Sequence, residues 1–303
     1  MSDVFFQQIV NGVTIGMIYA LIALGYTIVY GIAQLINFAH GEVFMVGAYL
    51  GLLADTVLKS FLHLKDPNFL SISLIFLFAM SGTALLGVGI ERFAYKPLRH
   101  APRLAPLITA IGVSFLLQNA VMLIFGPADK TFPQLLSVQK YPWHTVTFTN
   151  LQLLIAFVSL ALMAGLHAFI KKTQTGKAMR ALADDREAAS LIGINTDRVT
   201  AVAFLLGSGL AGAGGVMFGM YYNTINFHDG YLAGLKAFTA AVLGGIGNIP
   251  GAMVGGLLIG VLEGLGAGYL SSEWKNVFAF FVLILLLLFR PSGLLGSRVV
   301  KKV

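Results

Sequence analysis

The segment LINFAHGEVFMVGAY, residues 35–49, places three polar side chains between two long apolar runs: Asn37, His40 and Glu42. A histidine and a carboxylate this close in sequence could bind a metal ion or transfer a proton. Each of these groups is costly in lipid unless it pairs or faces water. The segment therefore indicates either a chemical site or a break in a membrane helix.

Four further ionisable residues lie within or beside later apolar runs: His228, Asp229, Lys236 and Glu263. Two ligand types without a third nearby are weak support for a metal or catalytic site. Charges inside a membrane protein usually face its interior and pair with something. We therefore expect Lys236 and Glu263 to be buried, and they could pair with each other.

The composition defines the class of protein that must position these residues. Of 303 residues, 57% are hydrophobic and only 11% are charged, whereas soluble domains average about 25% charged residues. The chain is therefore predicted to be an integral membrane protein. It has no cysteine, which excludes disulfides and thiolate chemistry. Its net charge of +7 is more typical of cytoplasmic loops than of nucleic-acid binding.

Nine apolar stretches approach the roughly 20 residues that a membrane helix needs. The second, seventh and ninth are short and could be broken or re-entrant. We predict an all-α polytopic membrane protein with about eight or nine membrane segments, forming one transmembrane domain over residues 1–303. The stretches cover residues 9–31, 43–58, 70–91, 104–125, 150–170, 199–221, 233–247, 251–271 and 276–290.

Basic residues cluster in two loops and the C-terminal tail, which we place in the cytoplasm. The connection 126–149 has only Lys130 and Lys140 and is placed outside. No basic residue precedes the first apolar run, so this run is expected to be an uncleaved membrane helix rather than a signal peptide. The N-terminus is then expected outside and the C-terminal tail inside, which requires an odd number of crossings. Glu91 and Arg92 are expected to form a boundary pair. The clustered basic residues are Arg92, Lys96, Arg99, Arg103, Lys171, Lys172, Lys177, Arg180, Arg186, Arg198, Arg290, Arg298, Lys301 and Lys302.

Glycines spaced four apart recur along the chain and allow helix backbones to approach closely. Packing inside the subunit is the favoured interpretation, and packing against a second membrane subunit is the alternative. The pairs are Gly12/Gly16, Gly47/Gly51, Gly215/Gly219, Gly251/Gly255, Gly256/Gly260, Gly260/Gly264 and Gly264/Gly268.

Residues 36–49 and 225–238 resemble each other, beginning INFAHG and INFHDG. Inverted repeats with broken helices are typical of transporters, but a run of three identical residues, INF, leaves a true repeat open. GGIGNIPG, residues 244–251, is flanked by apolar runs rather than by the strand that a dinucleotide site needs. It is predicted to be a helix break that forms a pathway wall or a hinge, and an ordinary tight turn at the surface is the alternative. The candidate pathway or helix-break residues are Asn37, His40, Glu42, Asn226, Asp229, Gly245, Gly247 and Pro250.

A polar loop covers residues 173–198 between two apolar runs. Asp184 is predicted to cap a short helix, with Glu187 at its third position as reciprocal partner and Gly193 just past its end. A short capped helix with a small apolar face suits docking on a partner. A solvated loop helix without a partner is the alternative.

Several segments resemble those of a known family. GKAMRALADDREAASLIGIN is similar to the cytoplasmic loop of permease subunits of branched-chain amino-acid ABC importers. Glu187-Ala188-Ala189 and Gly193 resemble the EAA-type signature of importer permeases. NFAHGEVFMVGAY, AVLGGIGNIPGAMVGGLLIGVLEGL and LLLFRPSGLLG also resemble segments of this family, in the same order. The length is most similar to the shorter, H-type subunit of the high-affinity system.

The resemblance implies one half of a heterodimeric pore in a bacterial inner membrane. It implies two ATP-binding cassette ATPases below and a periplasmic substrate-binding protein above. The substrates would be leucine, isoleucine or valine. No cofactor is expected in this chain, since ATP and magnesium would bind the ATPases, and no P-loop sequence is present. The residues implied to couple to the ATPases are Gly176, Arg180, Asp184, Glu187, Ala188, Ala189 and Gly193.

The chain is thus predicted to be a transporter component rather than an enzyme. An ion-coupled secondary amino-acid transporter is the alternative function, in which Asp229, Lys236 and Glu263 would relay an ion or a proton.

Overall fold

The structure, a computed structural model, describes residues 2–61, 68–99, 101–102, 104–143, 146–269, 274–290 and 292–296. Arg103, Arg298, Lys301 and Lys302, used above to orient the chain, lie outside these residues. The helices are α1 Ser2–Ala33, α2 His40–Phe61, α3 Phe69–Ile90, α4 Leu104–Phe125, α5 Asn150–Lys172, α6 Gln174–Asp184, α7 Arg186–Leu191, α8 Thr196–Tyr222, α9 Asp229–Gly244, α10 Ile249–Tyr269 and α11 Lys275–Phe289.

Seven helices of the described chain are long and apolar enough to cross a membrane: α1, α2, α3, α4, α5, α8 and α10. Two others, α9 and α11, contain 16 and 15 residues. The prediction of an all-α polytopic protein with some short segments is therefore confirmed. The second segment was wrongly predicted to be short, because its polar start, from His40 onward, is helical.

The helix ends follow from local sequence. Asn68 and Asn195 cap α3 and α8 through their side-chain oxygens, and Thr173 caps α6 in the same way. Thr149 and Gln152 form a reciprocal capping box at the start of α5. Each cap satisfies a backbone N–H that the first helical turn leaves without an internal partner.

Small residues hold the long helices together. A Cβ added to Gly260 in α10 would lie 2.3 Å from the carbonyl oxygen of Gly12 and from Cα of Gly16 in α1. A Cβ on Gly47 would lie 2.5 Å from Cα of Gly212 in α8. These glycines are therefore used inside the subunit, which is the interpretation the sequence favoured.

Two helix triplets pack reciprocally. Helix α1 packs against α10, and α8 packs against α3. Likewise α2 packs against α8, and α9 packs against α1. This exchange of partners relates α1–α3 to α8–α10, as expected for two halves related by a pseudo-two-fold axis.

The bundle has two distinct ends. At the hairpin end, β2 (Lys140–Trp143) pairs with β3 (Val146–Thr149), and β1 (Lys130–Thr131) pairs with β4 (Thr224–Ile225). The start of α1 is also there, since the Thr147 N–H donates to Gln7 Oε1 at 2.9 Å. Helices α6 and α7 lie at the opposite, α6–α7 end, with the turn between α9 and α10.

Candidate functional site

The turn before α2 is built around Asn37. Its Oδ1 accepts a hydrogen bond from the Ala39 N–H at 3.2 Å and another from the Tyr95 hydroxyl at 3.0 Å. The His40 N–H donates to the Asn37 carbonyl at 3.0 Å. Asn37 thus supplies acceptors to backbone groups that the break leaves outside any helix.

The turn before α9 has the same construction around Asn226. Its Oδ1 accepts from the His228 N–H at 2.9 Å, and its carbonyl accepts from the Asp229 N–H at 3.1 Å. The Asp229 carboxylate accepts in return from the Asn226 N–H at 2.6 Å. The two INF segments therefore form equivalent turns, which supports the inverted repeat.

The helices that follow these turns cross each other at glycines. A Cβ on Gly41 would lie 2.3 Å from the Gly230 carbonyl oxygen and 2.8 Å from Gly234 Cα. His40 contacts α1 at Gly25, and α1 continues to Ala33, about 12 Å farther. Helix α2 therefore begins inside the bundle, at what we call the α2–α9 crossing.

Glu42 points its carboxylate at this crossing. The residue is 1% exposed. Its Oε1 accepts from the Ser114 hydroxyl at 3.3 Å, whereas its Oε2 lies against Gly230 without a hydrogen-bond partner among the described residues. The His40 ring is buried there too, at 1% exposure, and faces the backbone of α1 at Ile22. Two helix N-termini meet at this point, and their positive ends favour a carboxylate.

Helix α4 lines the other side of the crossing. Ser114 and Gln118 are polar, lie one turn apart and face Glu42 and His228; Gln118 Nε2 is 2.7 Å from His228 Nδ1. We did not predict these two residues. Their spacing within an apolar helix is a signal that could have found them.

Lys236 and Glu263 form the ion pair that the sequence suggested. Lys236 Nζ is 2.8 Å from Glu263 Oε1 and 3.2 Å from the Tyr19 hydroxyl, which donates to Glu263 Oε2 at 2.9 Å. All three residues are at most 5% exposed. The triad joins α1, α9 and α10. Among the described residues, no group of three or more His, Cys, Asp or Glu side chains is placed to hold a metal ion.

A cavity of about 1440 Å³ lies at the α6–α7 end. Its walls are the end of α1 with the following turn, α5 and α6, and the turn from α9 to α10. His167, Lys171 and Arg180 contribute its basic side chains. The rings of Tyr26 and Phe238 pack between this cavity and the crossing, with centroids 5.9 Å apart.

The predicted break at residues 244–251 forms part of the cavity wall. Gly245 and Gly247 have φ values of +102° and +91°, which favour glycine. Pro250 is the second residue of α10, where its missing N–H costs no helical hydrogen bond. The break is thus a turn between two helices, and Gly247 and Pro250 line the cavity.

The cap of α7 was wrongly assigned. Asp184 ends α6, and Asp185 has the extended backbone that a cap needs. Its Oδ1 accepts from the N–H groups of Glu187 and Ala188 at 2.9 and 3.0 Å. Glu187 is therefore the second helical residue and has no reciprocal role. Both Glu187 and Ala188 are exposed.

The end of α7 is as predicted. Gly193 has φ +87°, and the Ile194 N–H donates to the Ala189 carbonyl at 3.1 Å, as in a Schellman motif. Ala189 is buried, whereas Leu191 and Ile192 are 87% and 75% exposed. The short helix therefore presents apolar side chains away from the bundle.

Helix α6 is fixed to the end of α5. A Cβ on Gly176 would lie 2.3 Å from the Ile170 carbonyl oxygen. The Arg180 guanidinium donates to the same oxygen. Gly176 and Arg180 thus lie together, but they do not contact the crossing.

The structure also contains an ion network that the sequence did not reveal. Glu91 pairs with Arg99. The predicted pair of Glu91 with Arg92 is wrong, and Arg92 is exposed. Arg99 also pairs with Asp197 at the start of α8. A sequence separation of 98 residues between these two partners gives no local pattern from which to find them.

These features define a class of protein: a polytopic membrane protein in which two helices begin inside the bundle and a short exposed helix lies at one end. Residues 8–287 match the family described as the branched-chain amino acid transport system permease component. The chain belongs to this family, which is a family of transporter components and not of enzymes.

The chain is similar over nearly its whole length to several permeases. It is 47% identical to the high-affinity branched-chain amino acid transport system permease protein LivH of Escherichia coli K12, over 99% of this chain and 98% of that protein. It is 48% identical, with the same coverage, to BraD of Pseudomonas aeruginosa. A probable LivH of Methanocaldococcus jannaschii is 28% identical over 98% of this chain and 94% of its own length. No solved structure matches significantly.

Proposed function

We propose that this chain is a permease subunit of an ABC importer that translocates leucine, isoleucine and valine, with ATP hydrolysed on other subunits. The observation that carries the proposal is the full-length similarity to permeases named for high-affinity branched-chain amino acid transport. The exposed α7 supports it, because an importer permease needs a surface on which its ATPase can act.

The ATPase binds α7 in this proposal. Leu191 and Ile192 are exposed apolar residues at the end of a short helix that is capped at both ends, which suits a groove on a partner. Glu187 and Ala188 extend the exposed surface. ATP and magnesium belong to the two ATPase subunits.

The assembly is a heterodimer with a homologous second permease in a bacterial inner membrane, served by a periplasmic binding protein at the hairpin end. The α6–α7 end carries Lys171, Lys172, Arg180 and Arg186, which favours the cytoplasmic side. The start of α1 lies at the hairpin end, so the N-terminus is periplasmic and the C-terminus cytoplasmic.

Transport proceeds by alternating access around the two breaks. The cavity at the α6–α7 end opens toward the cytoplasm, and the Tyr26 and Phe238 rings separate it from the crossing. Asn37, His40 and Glu42, with their counterparts Asn226 and Asp229, are the candidate polar groups along the path. The binding protein selects the substrate, so the pore does not need tight binding.

The ion-coupled alternative has less support. Two of its three relay residues, Lys236 and Glu263, neutralise each other in a buried pair. The third, Asp229, accepts from the backbone of its own turn. The family is that of the permease component of a larger system, which favours a drive from outside the chain.

The test is import of radiolabelled leucine by proteoliposomes that contain the chain, a homologous second permease and two ATPases of the same transport system, with the binding protein outside. We expect import only with ATP and magnesium on the ATPase side, and no effect of ionophores. Import without ATP that an ionophore abolishes would establish the secondary-transport mechanism instead.

Docking of the ATPase on α7 is tested with a variant of α7 and a control variant. The double change Leu191→Ser and Ile192→Ser removes two apolar contacts worth roughly 1.5–3 kcal/mol each, so ATPase co-purification should fall by about tenfold or more. Val138→Ser is the control, since Val138 is 51% exposed at the hairpin end. Equal ATPase recovery from both proteins would contradict docking on α7.

A further inference from the structure

Helix α3 ends in an unusual turn. It changes at Glu91 to a π-helix, Glu91–Tyr95, and then to a 3₁₀ turn, Lys96–Leu98. π-Helical turns are rare and occur frequently at functional sites. This turn lies between two features already described, the break before α2 and the start of α8.

One side of the π-turn contacts the break. The Tyr95 hydroxyl donates to Asn37 Oδ1 at 3.0 Å, the same oxygen that accepts from the Ala39 N–H. Tyr95 and Asn37 are 3% and 2% exposed. The Tyr95 ring packs on Phe204 of α8, with centroids 5.4 Å apart. The position of Tyr95 therefore determines where the acceptor for the α2 turn lies.

The other side contacts the segment after α7. Arg99 bridges Glu91, which is 3% exposed, and Asp197, the second residue of α8. Lys96 Nζ adds a contact to Asp197 at 2.8 Å. Because Glu91 is buried, its carboxylate depends on Arg99 for its charge partner.

Asp197 is closely linked to α7. Helix α7 ends at Leu191 with Gly193 beyond it, and the Asn195 cap begins α8 at Thr196. The charges of Arg99 and Asp197 also act on Arg186, the first residue of α7. Burial and the nearby Arg99 guanidinium lower the pKa of Arg186, and the Asp197 carboxylate opposes this.

We propose that Tyr95 and Arg99 are positioning residues that transmit movement of α7 to the turn before α2. A shift of α7 moves Asp197 and with it Arg99; Arg99 moves Glu91 and the π-turn; and Tyr95 moves Asn37. The inference rests on the proposed function, since it needs an ATPase to move α7. In this proposal, the π-turn changes between two arrangements when α7 moves.

The experiment is a double-mutant cycle on the number of leucines imported per ATP hydrolysed, in the proteoliposomes described above. Tyr95→Phe removes only the hydroxyl, and Arg99→Gln removes the charge. We expect each to lower the ratio roughly three- to tenfold, in the range of reported coupling effects. The double variant should import as many leucines per ATP as the single variant with the lower ratio, because both residues act on one path.

Two control variants match the test variants. In Tyr141→Phe, the lost hydroxyl also donates to a side-chain amide, Gln139 Oε1 at 2.9 Å, but at the hairpin end. In Arg92→Gln, the lost charge is an exposed one in the same π-turn. Both should keep the wild-type ratio. If Tyr95 and Arg99 contributed only to packing, their variants would change the melting temperature without changing the number of leucines imported per ATP.

The inference is overturned if Tyr95→Phe keeps the wild-type ratio, or if the two effects multiply. If Arg99→Gln does not fold, because Glu91 is left unpaired, Asp197→Asn replaces it in the cycle with the same two outcomes. Failure of the proposed function is distinct, since the wild-type complex would then show no ATP-dependent import.

Discussion

At the residue scale, the most costly feature is the buried charge pair Lys236–Glu263. Desolvating two ions costs several kcal/mol each, and their attraction offsets this only with good geometry and further hydrogen bonds. The Tyr19 hydroxyl supplies such bonds to both partners. The pair therefore specifies how α9 and α10 fit against α1 more than it adds stability.

We expect Lys236→Met to destabilise the protein by about 3–5 kcal/mol, because it leaves Glu263 buried without its charge partner. Adding Glu263→Gln should restore at least about half of that loss, since no unpaired ion then remains. The measurement is the melting temperature of the purified complex in detergent.

The matched control for this pair is Lys59→Met. Lys59 pairs with Asp55 at 2.8 Å one turn away on α2, with its side chain 47% exposed. The Asp55 side chain is 11% exposed and keeps some contact with water when Lys59 is removed, so we expect Lys59→Met to cost less than Lys236→Met. A double variant at 236 and 263 that melts lower than Lys236→Met alone would show that the charge of Glu263 is useful without its partner.

At the scale of elements, helix identity could be predicted from the sequence, as could the end of α7 at Gly193, but the boundary between α6 and α7 could not. Apolar runs of about 20 residues identify membrane helices because lipid admits little else. The end of α6 depends on which of two adjacent aspartates, Asp184 or Asp185, leaves the helical conformation. Both are good caps by type, so composition alone does not decide between them.

This difference can be tested directly. Asp185→Ala removes the acceptor for two N–H groups of α7 and should cost about 1 kcal/mol locally, enough to fray a helix of six residues. We expect leucine import to fall several-fold while the complex still assembles. Asp184→Ala should import normally, because a carboxylate at the end of α6 opposes the helix dipole. Equal import by the two variants would show that the Asp185 cap is not needed.

At the scale of the whole molecule, the sequence suggested the repeat but not the way its halves meet. The INF segments are similar enough to align, yet no local pattern shows that Gly41 contacts Gly230 or that Tyr95 reaches Asn37. Such contacts depend on how α2, α3 and α9 pack in three dimensions. The polar groups of residues 35–49, which seemed costly as a sequence, are buried within protein at the crossing, where lipid does not reach them.

The orientation of the bundle in the membrane is simple to test, because the chain contains no cysteine. Ser137→Cys and Ser190→Cys place one exposed thiol each, at the hairpin end and on α7. We expect a membrane-impermeant maleimide to label Ser137→Cys in intact spheroplasts and Ser190→Cys only after the membrane is opened. The physical reason is the basic α6–α7 end, which is retained on the cytoplasmic side.

The two chain ends extend this test. The start of α1 lies at the hairpin end, whereas the Leu294 N–H donates to the Leu243 carbonyl at 2.8 Å, at the α6–α7 end. An odd number of crossings follows if the two ends of the bundle face opposite sides. Labelling of both cysteines in intact spheroplasts would contradict this, and the reversed pattern would place α7 outside, where no ATPase could reach it.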